Sequence, residues 1–90
     1  MKTRHRKTLL VIFEDPVRSN IPWADIESLL IACGALIREG RGSRVRVTLN
    51  DVQAVFHRPH PQKETDKGGE ASHFAVLSMR RFLIEAGVVP

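Results

Sequence analysis

The stretch from Arg44 to His57 constrains the fold more than any other part of this chain. Arg44 to Leu49 alternates, with Val45, Val47 and Leu49 on one side and Arg44, Arg46 and Thr48 on the other. A period of two is that of a strand with one apolar face. Asn50-Asp51 is hairpin-turn chemistry, although it lacks the glycine that strengthens such a turn. Val52 to His57 then reads as the returning strand. A hairpin with one apolar face cannot stand alone in water, so the rest of the chain must cover that face.

The cover is legible on both sides of the hairpin. Thr3 to Glu14 has helical spacing, with Leu9, Ile12 and Phe13 on one side and basic residues outward. Asp15-Pro16 ends it, because the residue before proline is pushed out of the helical region. Pro22 suits the start of a second helix, and Asp25 and Glu27 put negative charge near its positive end. Trp23, Ile26, Leu29, Leu30 and Cys33 share one face of it, and Gly34 is placed to stop it. Ala35 to Arg38 reads as a short strand before the Glu39-Gly40-Arg41-Gly42 turn. Residues 58–69 are rich in proline, glycine and charge and read as a loop. A last helix is expected from Glu70 to Ala86, with Phe74, Leu77, Phe82 and Leu83 for packing and Gly87 as its stop.

Helix, helix, three antiparallel strands, helix is the pattern of an α+β two-layer domain, ααβββα, with helices on one face of the sheet. Double-stranded-RNA-binding domains have a related layout. Ninety residues make one domain spanning 1–90, of which 1–20 form an N-terminal helical extension. There is no room for a separate cofactor lobe, and neither a cofactor nor a small-molecule substrate is expected. Cys33 stands alone, which argues against a disulfide framework and a Cys-based zinc site and favours a reducing cytoplasm. The apolar run Leu9 to Phe13 is too short for a secretory or membrane segment, so no membrane partner is expected. The net charge of +4 suits a phosphate-bearing partner.

Two constellations carry the candidate chemistry. The first is Arg44 and Arg46 on the uncovered sheet face, beside the backbone amides of the glycine turn. Such arginines can hold phosphate oxygens through forked, charge-assisted hydrogen bonds. The plain alternative is a solvated strand face kept soluble by charge. The second is His57-Arg58-Pro59-His60-Pro61. Histidine titrates near neutral pH and serves general acid–base chemistry, and RNA brings its own nucleophile in the 2′-hydroxyl. His60 is the first catalytic candidate, His57 its partner, and Arg58 a further phosphate contact. The plain alternative is a strand-end histidine and a loop histidine. The two histidines without Cys or a nearby Asp do not make a metal site. His5 and His73 read as surface residues and Cys33 as a packing residue.

These features together resemble the HicA family of bacterial toxins, over roughly Ile21 to Val88. The resemblance rests on the Trp23-to-Cys33 helix with Gly34, on Gly42-Ser43 entering a strand, on Pro59-His60-Pro61 and on Phe82-Leu83-Ile84-Glu85-Ala86-Gly87. It implies a dsRBD-like fold, metal-independent cleavage of mRNA, and neutralisation by a HicB-type antitoxin. It also implies an RNA site at Gly42 and Ser43. In the family the catalytic histidine follows the Gly-Ser pair, and here Arg44 stands there. Arginine stays protonated and cannot act as a general base. Three outcomes follow: transfer of the activity to His57 or His60, weak Arg-assisted cleavage, or a chain that binds RNA without cutting it. A further alternative is an interaction protein whose basic face takes an acidic partner.

Overall fold

The hairpin forms with the register that its alternation requires, and the other elements arrange themselves around it. The computed structural model describes residues 1–59 and 69–90. In chain order the elements are α1 (Thr3–Ile12), β1 (Ile21–Pro22), α2 (Trp23–Ala32), β2 (Leu36–Glu39), β3 (Arg44–Leu49), β4 (Val52–His57), β5 (Glu70–Ala71) and α3 (His73–Glu85). The main sheet is antiparallel in the order β2-β3-β4, which makes the domain α+β with the expected ααβββα order. β3 and β4 pair from Leu49 opposite Val52 to Arg44 opposite His57. Asn50 and Asp51 both have positive φ, 50° and 67°. That is the two-residue turn whose twist matches a hairpin, reached here without glycine.

Val45, Val47, Leu49 and Phe56 are buried on one side of the sheet, under α2 and α3. Ile26, Leu29 and Leu30 come down from α2, and Val76, Met79, Phe82 and Leu83 from α3. Each such side chain contributes about 1.5–3 kcal/mol when fully withdrawn from water. Phe56 joins the layers: its ring lies 6.2 Å from that of Trp23 and packs edge-on against Phe82 at 5.6 Å. α1 lies across α2 and α3. Arg80 of α3 fastens its end, donating from Nε to the Ile12 carbonyl (2.9 Å) and from Nη2 to the Glu14 carbonyl (2.8 Å). The Ile12 carbonyl is one that a terminating helix leaves without an internal partner, and the Glu14 carbonyl lies just past the cap.

Four expectations are corrected. α1 stops at Ile12, two residues before Glu14. His5 is buried, at 7% exposure, because it shares the i, i+4, i+7 stripe with Leu9 and Ile12. Its basic neighbours in sequence point elsewhere on the helix. α3 starts at His73, not Glu70, because Ser72 caps it by accepting from the Ala75 N–H (3.2 Å). Its buried stripe therefore runs through Val76 and Met79, and Phe74 and Leu77, both expected to pack, are 78% and 39% exposed. Glu70 and Ala71 instead form β5, pairing with β1 in a small second sheet. Neither two-residue strand is foreshadowed by a periodic pattern in the sequence.

Candidate nucleic-acid interface

The uncovered face of the sheet is built by register. In an antiparallel ladder, directly opposed residues lie on the same face. Arg38 of β2 faces Arg46 of β3, which faces Val55 of β4, and Arg44 faces His57. Leu36, Thr48 and Gln53 complete this face. It therefore carries three arginines, one histidine and no carboxylate, and Arg38, Arg44, Arg46 and His57 are all exposed. The opposed Arg38 and Arg46 are like charges, an arrangement that costs of the order of 0.2–1 kcal/mol. An anion between them would reverse the sign of that term.

Arg44 and His57 are the closer kind of neighbours. The Arg58 N–H donates to the Ser43 carbonyl at 2.8 Å, so Ser43 and Arg58 occupy a hydrogen-bonded position of the ladder. The next pair, Arg44 and His57, is then a non-hydrogen-bonded one, in which Cα atoms lie about 4.5 Å apart and side chains are nearest. The hairpin loop extends the basic surface. Gly42 turns with φ of +62°, a conformation that favours glycine, and Arg41 beside it is exposed. Arg38, Arg41, Arg44 and Arg46 line a shallow depression of about 350 Å³ together with Glu39, Gly40, Val45 and Val55, so four cations stand there against one carboxylate. Arg38 and Arg41 are additions to the expected site residues. Counting the β2–β3 hairpin inward from Gly40 and Arg44 brings Arg38 opposite Arg46, a signal present in the sequence.

Arg58 is placed differently. It lies one residue beyond His57, so its side chain falls on the helix side of the sheet, away from Arg44 and Arg46. Its Nε and Nη2 donate to the two carboxylate oxygens of Glu27 on α2, at 3.0 and 2.9 Å. Its Nη1 donates to Glu39 at the end of β2. The hydrogen bonds to Glu27, then those to Glu39, raise the guanidinium further above its ordinary value. Of five N–H donors three are engaged, which leaves two for another acceptor. With two carboxylates on one guanidinium, this spot attracts anions less than the open face does.

The network ties the end of β4 to α2 and to the β2–β3 hairpin. Arg58 and Glu27 are a quarter to a third exposed, so solvent screens part of its strength. Glu27→Ala is expected to cost about 1–2 kcal/mol, read as a lower urea midpoint with unchanged slope. An unchanged midpoint would mean that water replaces the carboxylate without loss.

Of the remaining expected residues, Gly42 and Ser43 sit in the loop that leads into β3, next to the arginine face. His60 lies outside the described residues. Cys33 is partly buried at the end of α2, where burial pushes its thiol up and keeps it protonated. Among the described residues no three His, Cys, Asp or Glu side chains gather as a metal set. Among those residues, too, no helix is long and apolar enough to cross a membrane.

Compared with known protein families, residues 23–73, more than half of the chain, match the family described as HicA toxin of bacterial toxin-antitoxin. The matched stretch holds α2, the whole β2-β3-β4 sheet and the first residue of α3. No curated protein and no solved structure matches.

Proposed function

This chain belongs to the HicA toxin family of bacterial toxin–antitoxin pairs, and from that premise we propose that it binds mRNA on the open sheet face and cleaves it. A HicB-type antitoxin neutralises it by covering the same face, and the pair works in the cytoplasm without a metal or other cofactor. The observation that carries this reading is the pairing of exposed His57 with Arg44 on a face that has Arg38 and Arg46 but no carboxylate. Phosphate needs cations there, and transesterification needs a group that titrates near neutrality.

The step itself is balanced within RNA. The 2′-oxygen attacks the adjacent phosphorus and gives its proton to a base, while the bond from phosphorus to the 5′-oxygen breaks and that oxygen takes a proton from an acid. The products are a 2′,3′-cyclic phosphate and a 5′-hydroxyl. His57 and His60 serve as the base–acid pair, with His60, two residues after the Arg58 anchor, as the leading catalytic group. Arg44 and Arg46 bind the non-bridging oxygens and stabilise the charge that builds on them. Gly42 and Ser43 present the loop to the same strand, and Arg58 offers its two remaining donors from the sheet's end.

Arg44 at the position of the family's catalytic histidine favours one competing reading, an RNA-binding module without cleavage. Expression of the full chain alone separates the two. Growth arrest with fragmented total RNA ending in cyclic phosphate is the expected result, relieved by co-expression of a HicB-type antitoxin. Intact RNA from arrested or growing cells, with a purified chain that still retards RNA, would replace cleavage by binding.

A further inference from the structure

We propose that the cleft between α1 and α2 is a second phosphate-binding site, taking a phosphodiester of the same RNA strand. The inference rests on the RNA-binding reading above but uses none of its residues. The cleft has a volume of about 280 Å³ and is lined by Arg4, His5, Lys7, Arg18, Ser19 and Ser28. That is slightly below the roughly 300–1,000 Å³ of pockets that enclose a whole small molecule. It suits one phosphate with its sugar.

Charge favours an anion. Lys2, Arg4, Arg6 and Lys7 crowd the first turns of α1, and no acidic residue precedes Glu14. Cations beside the positive end of a helix cost about 0.3–1 kcal/mol each. Arg4 and Lys7 have no ion-pair partner among the described residues. Arg18 shares Glu14 at 3.3 Å, in an exposed pair of small strength. Asp25 also lines the cleft and opposes an anion, but one carboxylate stands against three cations.

A second observation is independent of charge. His5 is buried at 7% exposure, lines the cleft, and makes no side-chain hydrogen bond among the described residues. Its ring nitrogens are not sealed from solvent, and an imidazole N–H in the cleft lining can donate to a phosphate oxygen. Ser19 and Ser28 add hydroxyl donors. α1 lies on the helix layer, so the cleft and the open sheet face are on different sides of the molecule. An oligonucleotide of about 15 residues, at about 3.4 Å per phosphate, spans about 50 Å. The long axis of the protein is 35 Å, so one strand can reach both sites.

The test titrates the full chain with a 15-nucleotide single-stranded RNA over a range of salt. Arg4→Glu with Lys7→Glu is compared with Lys2→Glu with Arg6→Glu, an equal charge change on the same helix outside the cleft. Each phosphate that the protein no longer neutralises lowers the log–log salt slope by roughly 0.7. The cleft pair, which empties a site for one phosphate, should lower it by about 0.7, and the control pair by less than half as much. Equal effects of the two pairs would mean diffuse charge and overturn the proposal. In parallel, inorganic phosphate should shift the amide resonances of Ser19, Asn20 and Ser28 in the unmodified chain and not in the cleft variant. Phosphate shifts with an RNA slope untouched by the cleft pair would assign the cleft to free phosphate and overturn the RNA assignment. If Arg44→Glu with Arg46→Glu lowers the slope and the cleft pair does not, this site alone falls. An unmodified chain that binds no RNA removes both.

Discussion

The double change His57→Ala and His60→Ala is expected to lower RNA cleavage by about 10²–10⁴-fold, the usual contribution of general acid–base catalysis. RNA binding by that variant should stay close to that of the unmodified chain. The separation of the two effects follows from position. His57 is exposed at the end of β4, and its neighbour in the ladder is Arg44, so its loss leaves Arg38, Arg44 and Arg46 in place. It supports no buried packing, and the fold should hold as judged by circular dichroism. His57→Ala alone should leave partial activity if His60 leads the chemistry. Cleavage at the full rate in the double variant, with cyclic-phosphate products, would put the chemistry on other residues.

Most of the architecture is legible in the sequence because the core repeats with a clear period. Val45, Val47 and Leu49 announce β3, and Trp23, Ile26, Leu29 and Leu30 announce the inner face of α2. What escapes the sequence is set by contacts between distant residues. β1 and β5 are two residues each, too short to show a period, and they exist because Ile21 and Ala71 meet across roughly fifty residues of chain. Glu70 has the character of a first-turn acid and suggests too early a start for α3, whereas the Ser72 hydroxyl actually caps the helix. The basic neighbours of His5 suggest a surface position, although its spacing to Leu9 already puts it inside.

The candidate site is legible in part for the same reason. Alternation alone puts Arg44 and Arg46 on the open face, since strand period fixes which side a residue takes. The partner of Arg44 is a matter of register, and the two-residue Asn50-Asp51 turn fixes that register, bringing His57 opposite. Arg58 shows the limit of composition. It belongs to the same basic cluster in sequence, but it turns to the other side of the sheet, and only the fold brings Glu27 and Glu39 to it. An arginine count cannot separate a cation held for a ligand from one already holding two carboxylates.

Reversing the charge of the open face should have the second large effect. Arg44→Glu with Arg46→Glu removes two charge-assisted contacts, each worth about 1.5 kcal/mol at the low end, so RNA affinity should fall about 10²-fold. The salt slope should fall by about 0.7, because both arginines hold the one scissile phosphate and each phosphate on a single strand contributes roughly that much. Stability should change little, because both side chains are exposed and neither makes an ion pair among the described residues. The opposed Arg38 and Arg46 repel each other in the unmodified chain, and Glu at 46 turns that pair attractive. A folded variant with equal or higher stability and weaker RNA binding would therefore tie the arginines to the ligand and not to the fold. The same variant should also associate more slowly with an acidic antitoxin, and the rate should lose its salt dependence. An unchanged RNA affinity and slope in a filter-binding titration would remove this face from the RNA site, and leave its like-charged arginines as a solvated edge.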